Sequence, residues 1–289
     1  MNEPVVIRPF ATTEEYRACV ALQEETWGEG FSERVSPAIL KVAQILGGVS
    51  AGAYDATGRL VGFVFGMTGL RGGEVVHWSD MLAVRPEARD SGLGRRLKEY
   101  QRDELLARGV EKMFWTFDPL RSRNAHLNIT KLGAVVREYV ENMYGDTDSP
   151  LHRGIGTDRC VALWLLGSER VRHRLAHGGA RPLLNQDSPA LGTDLAGPET
   201  APFALDAESV GPHPRPLEPV LSLEEERVRI AIPADIGGLL NEDLGLAIAW
   251  REATRAALGH YVSSGLEVRE FYRGEKISTY LLARGTVDA

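Results

Sequence analysis

The amino-acid sequence predicts an α/β chain, on three observations. Over residues 5–166, short apolar runs alternate with helical patterns in the order β-α-α-β-β-β-α-β-α-β-β. Within that order, a strand-like run, a basic turn with two glycines and the start of a long helix follow one another directly at residues 81–97. A strand, a helix and two more strands return in residues 223–289 after a proline-rich stretch. With 289 residues, 43% hydrophobic and 25% charged, the chain suffices for one large domain or two and is not disordered throughout.

Residues 5–10 read as the first strand. Thr13, Glu14 and Glu15 then open a helix to residue 26, with Tyr16, Cys19, Val20 and Gln23 at helical spacing. The stretch from Trp27 to Phe31 breaks it. Ser36 and Pro37 restart a helix, with proline at the first helical position. Residues 51–54 and 60–67 flank the turn signal Asp55, Ala56, Thr57, Gly58 and form a hairpin; residues 74–84 are the next strand. The helix over 92–108 places Leu93, Leu97, Tyr100 and Leu105 on a core stripe and stops at Gly109. A strand at 112–117, a short helix at 124–132 stopped by Gly133, and strands at 134–140 and 160–166 follow.

Between residues 167 and 222 the pattern dissolves, and eight of the fifteen prolines fall between positions 182 and 219. This is a long irregular connection, either a disordered linker or an extended arm laid over a domain or a second subunit. Residues 227–233 alternate as a strand. Asn241, Glu242 and Asp243 open a helix carrying Leu244, Ile248, Arg251, Thr254, Leu258 and Tyr261 to Gly265. Two strands at 266–272 and 276–282 turn at Arg273, Gly274 and Glu275. The expected organisation is therefore a domain at 1–166, a linker or arm at 167–222 and a strand-helix-hairpin part at 223–289. A faint echo links Leu82–Pro86, its helix and Gly109 to Ile230–Pro233, its helix and Gly265.

The segment LAVRPEARDSGLGRRL, residues 82–97, is a phosphate cradle. Backbone N–H groups of residues 90–95 lie at a helix start, where four donors lack intrahelical partners and the helix dipole is positive. Gly92 and Gly94 let an anion approach, and Arg89, Arg95 and Arg96 add charge. A pyrophosphate is the expected ligand. A nicotinamide-dinucleotide site fits less well, because Leu97 occupies the third glycine position of that fingerprint.

The order Val84-Arg85-Pro86 followed by Arg89-Asp90-Ser91-Gly92-Leu93-Gly94 resembles the acyl-CoA loop of the GNAT superfamily of N-acetyltransferases, and the resemblance covers about residues 4–166. It implies a mixed, mostly antiparallel central sheet flanked by helices, splayed near its middle. On that likeness residues 223–289 would be a degenerate half of the same fold without a coenzyme loop; the alternative is an unrelated strand-helix-hairpin unit. The likeness further implies that Leu82, Ala83 and Val84 meet the pantetheine arm. Arg89, Asp90, Ser91, Gly92, Leu93, Gly94 and Arg95 would hold the pyrophosphate of acetyl-CoA, and Asn124 would reach the arm. The tyrosine that many members place four residues before the glycine closing the short helix is Ile129 here. Tyr139 and Tyr144 are the possible substitutes.

Acyl transfer from a thioester to an amine needs a proton acceptor, because an amine of pKa near about 10.4 is protonated at neutral pH. Asp80, His77 and Glu74 are the candidate bases on the strand before the loop. Arg121 and Arg123 flank the short helix and suit a phosphate, an acidic acceptor or solvent. Trp27, Phe31 and Trp78 are candidates for an acceptor pocket, while Trp115 and Trp164 read as core.

The formal net charge of −7 disfavours nucleic acid as a partner and suits a cationic amine, small molecule or peptide. No apolar run approaches the roughly 18 residues of a membrane span, and the N-terminus lacks a basic region before an apolar core. A cytoplasmic protein without membrane attachment is expected, with a homodimer compatible. Cys19 and Cys160 read as buried apolar fillers, and no metal is expected. The function expected is an acyl-CoA-dependent N-acetyltransferase using acetyl-CoA, the alternative being a non-catalytic CoA-binding or interaction module.

Overall fold

The computed structural model describes residues 5–29, 31–145, 154–179, 200–209 and 211–285. The chain divides into two compact units, residues 1–115 with 165–167 and residues 116–164 with 168–289.

The first unit begins with β1 (Val6–Pro9), α1 (Thr13–Trp27) and α2 (Pro37–Ile45). Thr12 caps α1: its hydroxyl accepts from the Glu15 N–H at 3.3 Å while the Glu15 carboxylate accepts from the Thr12 N–H at 3.3 Å. The cap thus sits one residue ahead of Thr13. Ser36 caps α2 by accepting from the Ile39 N–H, with Pro37 in the first turn. β2 (Val49–Tyr54), β3 (Leu60–Arg71) and β4 (Glu74–Val84) extend the sheet from β1, each antiparallel to its neighbour. β5 (Lys112–Phe117) joins β4 in parallel at His77 opposite Met113 and Trp78 opposite Phe114. Helices α1 and α2 pack on one another and on β3, burying Phe10, Cys19, Leu22, Leu40, Phe63 and Phe65. α3 (Leu93–Leu106) packs on β3 and β4 through Leu93, Leu97 and Leu105, and Gly109 ends it at φ +75°.

In the second unit, α4 (Ser122–Ala125) runs into a π-helical turn at His126–Lys131, followed by β6 (Val135–Val140) and β7 (Arg159–Leu165). Then come α5 (Glu169–Ala176), β8 (Phe203–Leu205), β9 (Ala207–Glu208), β10 (Arg215–Pro216), β11 (Arg227–Pro233), α6 (Ile236–Glu242), α7 (Leu244–Ser263), β12 (Leu266–Tyr272) and β13 (Ile277–Arg284). The strand order is β7-β6-β12-β13-β11-β8, antiparallel except for the parallel pair β11 and β8; β9 and β10 form a separate ribbon. Trp250 and Trp164 are fully buried, and their indole N–H groups donate to the Pro214 and Leu132 carbonyls at 3.0 and 2.7 Å.

Residues 116–164 group with the C-terminal elements, and β6 pairs with β12 at Val136 opposite Val268. Two expectations change. The stretch 167–222 is not irregular throughout. Ser168 caps α5, and β8 to β10 occupy part of it; residues 180–199, inside the expected linker, lie outside the described residues. Asp235 also caps a helix, α6, across Gly237 and Gly238.

The internal echo has a closer form than the one anticipated. α7 packs against β11, the strand with Ile230. Yet the better match joins Gly133 and β6 to Gly265 and β12. Both glycines are left-handed, at φ +78° and +94°, and both strands read Val-Arg-Glu-aromatic, at residues 136–139 and 268–271. In each, the register with the following strand slips across the arginine, Arg137 or Arg269, as a β-bulge. Cys19 and Cys160 are buried fillers, and burial pushes the Cys19 thiol up to about 12.

Candidate functional site

The cradle is built where β4 gives way to α3. Pro86–Ala88 forms one 3₁₀ turn, closed by Ala88 N–H to Arg85 O at 2.9 Å and Arg89 N–H to Pro86 O at 3.2 Å. The Ser91 hydroxyl donates to Ala88 O at 2.7 Å. Asp90 at φ +60° and Gly92 at φ +79° then turn the chain twice through the left-handed region, and no side chain caps the first turn of α3. A helix start whose N-cap has no side chain offers its leading N–H groups to a ligand or water. A Cβ at Gly92 would meet nothing within 4 Å, and one at Gly94 only Leu82 Cδ2 at 3.8 Å. The open space before the helix is what a phosphate group needs. The arginines are less concentrated there than the sequence suggests. Arg95 pairs with Glu99 at 2.7 Å, Arg96 donates to Val5 O at 2.6 Å, and exposed Arg89 donates to Val84 O at 3.1 Å.

β4 leads into this cradle with Met81 and Ala83 buried and Leu82 and Val84 half-buried. Its register against β3 pairs Phe65 with Met81 and then Gly66 with Ser79, so Asp80 is the extra residue of a β-bulge. β5 pairs with β4 at His77 and Trp78.

Residues 16–133, which begin within α1 and include β4 and the cradle, match the sequence profile of the Acetyltransferase (GNAT) family. Residues 16–133 are a GNAT-family domain. No curated protein matches the chain. Among solved structures, the ribosomal-protein-S18-alanine N-acetyltransferase from Escherichia coli is 21% identical over 57% of this chain and 96% of its own, at a TM-score of 0.44. An acetyltransferase of GNAT family from Streptococcus pneumoniae is 20% identical over 57% of this chain and 100% of its own, at 0.45. A phosphinothricin acetyltransferase from Sinorhizobium meliloti, in complex with AcCoA, is 17% identical over 55% of this chain and 86% of its own, at 0.43. Likenesses of this size say nothing of what this chain acts on.

In the GNAT domain the three candidate bases have different surroundings. Asp80 is exposed at the bulge, between buried Ser79 and Met81. Desolvation by the surrounding protein, then the negative charge of Glu33, hold its carboxyl above the usual aspartate range. His77 is placed otherwise. It is fully buried, with Nδ1 3.1 Å from Thr68 Oγ1 and Nε2 2.9 Å from Gln101 Nε2, so both ring nitrogens are occupied within the protein. Burial, then the charges of Lys98 and Arg108, push it down to about 3, and it is not placed to touch a substrate. Glu74 is exposed at the far end of β4, paired with Lys112 at 2.5 Å. Six residues of strand, about 20 Å, separate it from Asp80.

Trp27 stacks on Phe31 with centroids 5.4 Å apart and meets Phe63 edge-on at 6.2 Å. Both are partly buried and pack on the core of the domain, and Phe31 lies in the same loop as Glu33. Trp78 is half-buried, while Trp115 and Trp164 are core residues.

In the second unit, Asn124 is exposed as the third residue of α4, not its cap; its N–H donates to Arg121 O at 2.9 Å. Ile129 is fully buried in the π-helical turn, a core position with no acid to offer. The Tyr139 hydroxyl donates to Asp158 at 2.5 Å, and desolvation, then Asp158, hold its proton more tightly than usual. Tyr144 is exposed, with its hydroxyl 2.9 Å from Thr116 Oγ1.

Sequence reasoning missed Gly66, Ser79, Lys98 and Gln101, which surround His77. One signal was available. Gln101 falls between Leu97 and Leu105 at four-residue steps, so a polar amide lies on the core stripe of α3.

Proposed function

We propose that this chain is an acyl-CoA-dependent acyltransferase, an N-acetyltransferase that moves acetyl from acetyl-CoA to an amine. The observation that carries the reading is the bulged strand that presents Asp80 and runs directly into the uncapped Gly92–Gly94 cradle of a GNAT-family domain. The cradle amides receive the pyrophosphate, and the backbone of Leu82, Ala83 and Val84 lines the pantetheine arm. Asp80 takes a proton from the acceptor ammonium. The amine nitrogen then attacks the thioester carbonyl, the C–N bond forms, the C–S bond breaks, and coenzyme A leaves as thiolate, which takes up the second proton that the nitrogen gives up. That thiolate has a pKa near about 8.5, so departure needs little acid assistance. The raised Asp80 carboxyl is a better base than an ordinary aspartate and is charged only above its own midpoint. Turnover should therefore climb with pH through that midpoint.

Buried Ile129 favours a second reading, in which the fold binds acyl-CoA without transferring the acyl group. Calorimetric titration with acetyl-CoA tests the shared part of both readings. Thiol release with a panel of amines separates them: release that Asp80→Asn lowers by about 100-fold, with acetyl-CoA affinity unchanged, supports transfer. Binding without release from any amine makes the second reading correct.

A further inference from the structure

The reaction proposed above does not use the buried polar chain between β3, β4 and α3, and donor chemistry fixes the direction of that chain. With Lys98 as an ammonium, which only donates, Ser79 Oγ accepts from it at 2.7 Å and gives its own proton to Gln101 Oε1 at 2.8 Å. Gln101 Nε2 is then the donor to His77 Nε2 at 2.9 Å. His77 is neutral with its proton on Nδ1, facing Thr68 Oγ1 at 3.1 Å, and Thr68 donates to Gly47 O at 2.9 Å. Lys98, Ser79, Gln101 and His77 are all buried.

Such a chain is costly to bury, and apolar residues of similar volume would serve stability as well. What it supplies is geometry. Ser79 immediately precedes the bulge residue Asp80, and Lys98 and Gln101 lie one and two turns along the helix whose first turn is the cradle. Gly66, opposite Ser79, leaves the room required: a Cβ there would lie 2.2 Å from His77 Nε2 and 2.9 Å from Gln101 Nε2.

We propose that Ser79, Lys98 and Gln101 are positioning residues that clamp α3 to the β4 bulge and so hold Asp80 in a fixed place relative to the Gly92–Gly94 cradle. The role rests on the reading of Asp80 as the base. Glu33, from the loop after α1, is the charge acting on Asp80 from outside its strand, and Lys98 is the cation on the helix behind. Movement of the bulge changes both the desolvation of Asp80 and its distance from Glu33.

The test is a carbon-13 NMR titration of the Asp80 carboxyl in the full chain, assigned with Asp80→Asn, alongside calorimetry with acetyl-CoA. In Ser79→Ala the Asp80 midpoint should move by at least about 0.5 pH unit. Ser79→Thr, which keeps the hydroxyl, should restore it, while acetyl-CoA affinity stays within about twofold in both. Gln101→Leu removes two bonds of the chain and should shift the midpoint at least as far. If it does not fold, Ser79→Ala, which deletes one oxygen, carries the test. An unchanged midpoint in folded Ser79→Ala overturns the clamp. Failure of the wild-type chain to bind acetyl-CoA would instead overturn the functional reading, and the two results are read separately.

Discussion

Val136 and Val268 face one another across an antiparallel pairing, each followed by a bulged arginine and a glutamate. The two strands enter this seam from left-handed glycines with different surroundings. A Cβ at Gly133 would lie 3.0 Å from Arg174 Cγ, whereas at Gly265 nothing comes nearer than Arg284 Nη1 at 4.0 Å. Gly265→Ala should cost about 1–2 kcal/mol from the left-handed backbone alone. Gly133→Ala should cost more, because it must also displace a fully buried side chain whose guanidinium pairs with buried Glu270. Urea denaturation of both variants tests the ordering.

His77 makes the fold acid-sensitive. Its folded proton affinity sits at about 3, against 6.5 ordinarily, so between those values the unfolded chain takes up a proton that the folded chain refuses. The stability is complete above 6.5 and falls away as pH drops toward 3, at up to about 1.4 kcal/mol per pH unit. His77→Gln keeps an acceptor for Gln101 and should flatten denaturation free energy across that window by one proton.

Lys98 acts over a different window. Burial lowers it from 10.5 to about 7, so as pH rises from 7 to 10.5 the folded chain releases a proton that the unfolded chain keeps, and the fold gains stability. Lys98→Met removes this dependence. Its stability relative to the wild type should be most favourable below about 7 and should fall by about 1.4 kcal/mol for each pH unit above it. A constant gap across both ranges would show that Lys98 keeps its proton.

Gly94→Val places a side chain in the open space before the cradle without a left-handed backbone, its Cβ meeting only Leu82 within 4 Å. The folded chain should change in stability by only about 0.5 kcal/mol. Acetyl-CoA affinity should weaken at least about tenfold, or 1.4 kcal/mol, by calorimetry. Unchanged affinity would move the coenzyme elsewhere.

Much of the first unit was legible because its signals are local. The turn at Asp55–Gly58, the start at Ser36 and Pro37, and the Leu93, Leu97 and Leu105 stripe each act within a few residues. The turn from β4 into α3 was legible for the same reason, since the glycines, the interrupted strand and the helix start are contiguous. α5 and α6 were harder to see. The first lies beside proline-rich sequence, and the second begins on two glycines that propensity disfavours, with the Asp235 cap and buried Ile236, Leu239 and Leu240 to hold it.

The amino-acid sequence by itself determined the order of elements through β7, the turn from β4 into α3 and the strand that carries Asp80, because periodicity, caps and turns are set by near neighbours. Only the tertiary structure decided that Asp80 is exposed and His77 buried. His77 and Asp80 are three residues apart on one strand, and their difference arises from a slipped register against Phe65 and Gly66 and from Gln101, 24 positions from His77. Pairing register and side-chain convergence over such separations depend on packing that no local pattern encodes.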